Sequence, residues 1–98
     1  MPGTRAACLV LALALAPLPA AAGNCIGTVT GLSPTYNPAT GSGFLAVRDG
    51  PSRDANQIGE LFNGDQVDVG KEEGPWVYVL AEKVEGWVHR NWLRVRCP

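Results

Sequence analysis

From residue 25 onward, apolar residues come in short bursts, many alternating with polar ones, and glycine, proline, asparagine or aspartate ends each burst. That pattern belongs to short strands with one buried face. Residues 66–70 (QVDVG) put Val67 and Val69 on one side and Gln66 and Asp68 on the other. Residues 76–81 (WVYVLA) put Val77 and Val79 on one face and Trp76, Tyr78 and Leu80 on the opposite one. Residues 44–48 form a further strand with Leu45 and Val47 on one side. Residues 25–30, 58–62, 86–88 and 95–97 are shorter strand candidates. No window sustains apolar residues at helical spacing, and residues 89–93 (HRNWL) suffice only for a single 3₁₀ turn.

Turn residues separate these stretches. Residues 31–43 are rich in Gly, Ser, Pro, Asn and Thr and read as a long loop. Residues 48–52 (RDGPS) stop a strand abruptly: Gly50 is free to take a positive φ and Pro51 fixes its own near −65°. Asn63-Gly64 predicts a hairpin turn. Residues 72–75 and 82–86 turn the chain twice more, and Gly86 lets the next strand run close to its neighbour. Five to six short strands predict an all-β fold, a small closed or nearly closed barrel with one 3₁₀ turn near the C-terminus. The expected core is Leu45, Val47, Ile58, Leu61, Val67, Val69, Val77, Val79, Val88 and Leu93.

The first 22 residues follow a different logic. Arg5 precedes an unbroken apolar run over residues 6–16, Pro17 and Pro19 break it, and Ala20-Ala21-Ala22 supplies small residues. This is the pattern of a secretory signal peptide over residues 1–22. It is too short for a membrane helix, which needs roughly 20 apolar residues. The mature chain then divides into an N-terminal strand and loop (residues 23–43) and a barrel (residues 44–98), with no span for a membrane. An exported product, periplasmic or extracellular, changes the reading of the cysteines. Of the three, Cys8 leaves with the leader, and Cys25 and Cys97 remain near opposite ends of the mature segment. Two cysteines in an oxidising compartment are expected to pair. Closing so long a loop stabilises by about 4 kcal/mol in the chain-entropy model. That is a large term for a domain of under about 80 residues. The pair also requires the first and last strands to be neighbours.

At this point the residues resemble a known family. LAVRDGPSRDANQIGELFNGDQVDV (45–69), GPWVYV (74–79) and EGWVHRNWL (85–93) occur in the order and spacing of the bacterial Src homology 3 (SH3) type domain. The resemblance spans about residues 44–94 and implies an SH3-like barrel. It also implies that residues 51–57 are the family's variable arm beside the ligand groove. Residues 25–43 and the cysteine pair lie outside the common pattern.

Eight Lys and Arg stand against nine Asp and Glu, and the loss of Arg5 leaves the mature segment more acidic still. That gives no basic footprint for nucleic acid, despite the basic-aromatic run WVHRNWLRVR. Arg90, Arg94 and Arg96 within it fit an anionic wall polymer better. Catalysis is not expected. His89 is the only histidine and is expected to cap the short turn or lie at the surface. Ser33, Ser42 and Ser52 sit in loops, and no residue set suggests a metal or a cofactor. The candidate ligand-binding residues are the aromatics Trp76, Tyr78, Trp87 and Trp92, with Arg53, Asp54 and Asn56 from the arm. Trp87 and Trp92 suit covering of the barrel ends better than contact with a ligand. Trp76 and Tyr78 suit either role, depending on whether residues 31–43 fold over them. The expected function is a binding module of the cell envelope, recognising a peptidoglycan peptide or a protein segment. The alternative is a periplasmic adaptor or inhibitor acting on a protein partner.

Overall fold

The computed structural model describes residues 24–98. The expected signal peptide over residues 1–22 and its boundary lie outside the described residues. Seven strands form one antiparallel sheet: β1 (Cys25–Val29), β2 (Leu45–Arg48), β3 (Gln57–Leu61), β4 (Gln66–Glu73), β5 (Trp76–Leu80), β6 (Glu85–His89) and β7 (Leu93–Arg96). Arg90–Trp92 is a 3₁₀ helix between β6 and β7. The order across the sheet is β3-β2-β6-β5-β4-β1-β7.

The alternation read from the sequence decides what faces inward. Val29, Leu45, Val47, Leu61, Val67, Val77, Val79, Val88 and Leu93 form one buried cluster with contributions from all seven strands, so the sheet curls around a single core. This is the SH3-like barrel, with seven strands rather than five to six. Every strand candidate joins the sheet, including both terminal segments: β1 lies between β4 and β7. Cys25 and Cys97 are bonded, with Cα atoms 4.2 Å apart, and tie the start of β1 to the end of β7.

Three expectations change. Ile58 is 48 % exposed, although the expected core includes it. Alternation from buried Leu61 is the reason: Leu61 faces Leu45 and Gly59 faces Val47, which turns Ile58 outward, and the register shift beyond them, where Arg48 faces Gln57, leaves Ile58 unpaired at a bulge. Gly59 takes the inward place, and a Cβ there would stand 2.8 Å from Val84 Cγ2. The second change is at Asn63-Gly64. Gly64 has the positive φ a tight turn needs (92°), but the strands it joins, β3 and β4, are not partners in the sheet. The turn instead docks on β1, where Val29 N–H donates to Asp65 O (2.9 Å) and Gly64 N–H donates to Val29 O (2.8 Å). Asn63 then clamps the long loop, accepting from Leu32 N–H at Oδ1 (3.0 Å) and donating from Nδ2 to Leu32 O (3.1 Å). Third, Gly50 is not among the glycines at positive φ, so the RDGPS turn uses its hydrogen bonds rather than that freedom.

The arm between β2 and β3 is fastened internally. Asp49 N–H donates to Asn56 O (2.9 Å), Ala55 N–H to Ser52 O (3.1 Å) and Asp54 N–H to Ser52 Oγ (3.1 Å). Arg48 Nη1 donates to Ala55 O (3.0 Å) and so holds the arm from the strand that launches it.

Candidate functional site

Strands β5 and β6 carry the aromatic residues on their outer face, in register. Trp76 lies opposite His89, and Tyr78 opposite Trp87. Both pairs meet edge to face, with ring centroids 5.3 Å and 5.4 Å apart, an arrangement favoured by the ring quadrupoles. The two pairs differ in what surrounds them.

Around Tyr78 and Trp87 the surface is filled. Trp87 is only 7 % exposed, although it does not belong to the valine core. The ammonium of Lys71 sits 5.6 Å from its ring centroid. The Tyr78 hydroxyl donates to Glu85, and this bond, followed by burial and the nearby carboxylate charge, raises the phenol above its ordinary pKa. This patch is a packed second layer.

Around Trp76 and His89 the surface opens into a groove of about 280 Å³. Phe44, Ala46 and Arg48 form one side, from β2 and the residue before it. Trp76 comes from β5, His89 from β6, Trp92 from the 3₁₀ helix and Arg53 from the arm. Trp92 is 39 % exposed and Trp76 half-buried, so both offer ring surface. His89 orients the helix that carries Trp92: its Nδ1 accepts from Asn91 N–H at 3.2 Å, which is the capping role read from the sequence.

The long loop borders this groove and leaves it open. Asn37 and Ser42 exchange backbone hydrogen bonds, closing the loop on itself, and Pro38 and Gly41 reach the groove edge. Tyr36 packs on Phe44 and Phe62 at 5.7 Å and 5.9 Å, donates to Glu60, and does not enter the groove lining. Gly43 makes the return possible. Its φ is 84°, and a Cβ there would lie 2.5 Å from Thr35 O.

Of the seven sequence candidates, the groove brings together Trp76, Trp92 and Arg53. Tyr78 and Trp87 lie next to it in the sheet but not in its lining. Asn56 spends its Nδ2 and its backbone N–H on Asp49, and neither it nor Asp54 lines the groove. Phe44, Arg48 and His89 were missed. The alternation that sends Leu45 and Val47 inward sends Phe44, Ala46 and Arg48 outward, which is the signal that could have found two of them. A larger depression of about 400 Å³ lies over β1 and β7, lined by Ile26, Thr28, Gln66, Arg94 and Arg96 among others, and has no aromatic ring.

No curated protein and no solved structure matches the chain. A family model, the bacterial SH3 domain, matches residues 43–94. The matched stretch runs from the residue before Phe44 to the second residue of β7, and holds every groove-lining residue except Pro38 and Gly41. Over more than half of its length, and in a barrel built as that match requires, the chain belongs to the bacterial SH3 domain family.

Proposed function

We propose that this protein is a non-catalytic binding module of the cell envelope and that the groove between Trp76, Trp92 and the arm receives a peptide of the peptidoglycan. The observation that carries the reading is the open groove itself, with ring surface from two elements beside a braced arm. Aromatic rings with adjacent polar groups recognise extended peptides by stacking and hydrogen bonding. Domains of this family are often cell-wall binding modules, which agrees. The disulfide and the apolar leader favour an exported protein. Binding without catalysis is supported by how the polar groups are used. His89 Nδ1 is committed to Asn91, and Ser33, Ser42 and Ser52 all bond within their own loops and stay out of the groove.

The test is co-sedimentation of the exported, oxidised protein with purified sacculi, alongside Trp76→Ala. Retention that drops about tenfold or more in a folded Trp76→Ala variant is expected, since truncating an aromatic residue that anchors an interface costs about 2 kcal/mol or more. Absence of retention would reject the wall ligand and direct attention to a protein partner in the envelope.

A further inference from the structure

The polar side chains of the groove are almost all donors. Arg48 and Arg53 are the charged residues that line it, and no Asp or Glu does. The chain as a whole has more acidic than basic residues, so this exclusion is not a reflection of average composition. The acidic neighbours in the arm are turned to other uses or lie outside: Asp49 accepts two bonds from Asn56, and Asp54 does not reach the lining. Among the described residues the one ion pair is Arg90 with Glu72, so Arg53 has no carboxylate of its own. His89 adds a further donor. Because Nδ1 accepts from Asn91 N–H, a neutral ring carries its proton on Nε2. The indole N–H groups of Trp76 and Trp92 can only donate. Gln57, whose amide Nε2 donates to Glu60, supplies the side-chain acceptor.

A groove that offers donors beside aromatic surface is complementary to an anion carried on an apolar frame. We infer that its ligand is a carboxylate-bearing peptide, with Arg53 as the residue that pairs with the carboxylate while Trp76 and Trp92 hold the adjoining apolar part. The inference rests on the groove being the binding site proposed above and adds the charge of what it takes. Arginine suits the role because its planar fork meets a carboxylate through two bonds and can lie against a ring. Arg48, bound to Ala55 O through Nη1, holds the arm in place and leaves its other guanidinium nitrogens to the ligand.

The test compares retention on two preparations of sacculi, native and with carboxylates converted to amides by carbodiimide and ammonia. The exported, oxidised protein is used, with Arg53→Gln and Arg94→Gln beside it. A charge-assisted hydrogen bond contributes roughly 1.5–3 kcal/mol, so wild-type retention falls about tenfold or more on amidated sacculi. Arg53→Gln binds both preparations at that lower level. Arg94→Gln, on the exposed face of β7 outside the groove, behaves as wild type. Equal wild-type retention on both preparations overturns the carboxylate and leaves the groove reading standing. Equal losses for Arg53→Gln and Arg94→Gln also overturn it, because the attraction would then be diffuse charge. Retention on neither preparation rejects the groove reading, and the inference with it.

Discussion

Trp87 and Trp92 are five residues apart, and both are tryptophans of the same family segment, yet one is packed and the other offers a face. The difference lies in their neighbours. Trp87 stands opposite Tyr78 in the ladder with Lys71 over its ring, whereas Trp92 projects from a 3₁₀ helix beside an open groove. Trp87→Ala should therefore cost about 3 kcal/mol, the low end for truncating a buried aromatic, read as a lower midpoint in urea unfolding. The same substitution at Trp92 should leave the midpoint nearly unchanged and weaken binding. Period-2 alternation placed Trp76 and Tyr78 outward correctly, but alternation reports a side of the sheet and not what covers it. At Ile58 the two signals conflict: hydrophobicity favours the core, while alternation counted from Leu61 sends Gly59 inward and Ile58 outward, and the alternation prevails.

The tyrosines supply a pH prediction on the same scale. Tyr36 and Tyr78 are both raised from their ordinary value of 10.0, first by the hydrogen bonds to Glu60 and Glu85 and then by burial and the carboxylate charge. A raised folded-state pKa means that the stabilisation is complete below the unfolded value and is lost as pH climbs through the folded one. Unfolding midpoints followed from about pH 9 to about pH 12 should fall with rising pH. The fall should be shallower in Glu85→Gln, in which the Tyr78 hydroxyl no longer meets a charged acceptor. An equally steep fall in that variant would contradict the assignment.

Among the elements, β6 passes close to β2 at Gly86. A Cβ on Gly86 would stand 2.5 Å from Arg48 O and 2.8 Å from Val47 Cγ1. Gly86→Ala should push β2 away from β6 and cost about 1–3 kcal/mol, the usual range for overpacking. It should also weaken ligand binding, because β2 carries Phe44 and Arg48 into the groove. A variant with unchanged unfolding midpoint and binding would show that the approach is slack. The role of Gly86 was readable from its place before Trp87. The docking of the Asn63-Gly64 turn on β1 was not, because local turn chemistry specifies a bend and leaves open which strand satisfies its backbone. That partner is settled only when the sheet closes.

For the whole molecule, the cysteines carried long-range information that the strand pattern lacked. Their pairing required the two ends of the described segment to meet, and β1 does pair with β7. The two half-cystines are 72 residues apart, so the cross-link should contribute about 4 kcal/mol through the unfolded state. Reduction, or Cys25→Ala with Cys97→Ala, should lower stability by a comparable amount in urea titrations. Amide exchange should rise first in β1 and β7. Unchanged stability would mean that barrel packing alone suffices. The groove was only partly legible at this scale. Trp76, Trp92 and Arg53 are separated by long stretches of chain, and the curled sheet makes them one surface with Phe44, Arg48 and His89.

The central claim is that this surface, and no other, receives the wall peptide. The three tryptophans mark it most directly, since each contributes one indole N–H signal to a nitrogen–proton NMR spectrum. Titration of the exported, oxidised protein with soluble peptidoglycan fragments should shift the Trp76 and Trp92 indoles together and leave Trp87 in place. Shifts absent from both groove indoles, or confined to Arg94, Arg96 and the strands around them, would contradict the account.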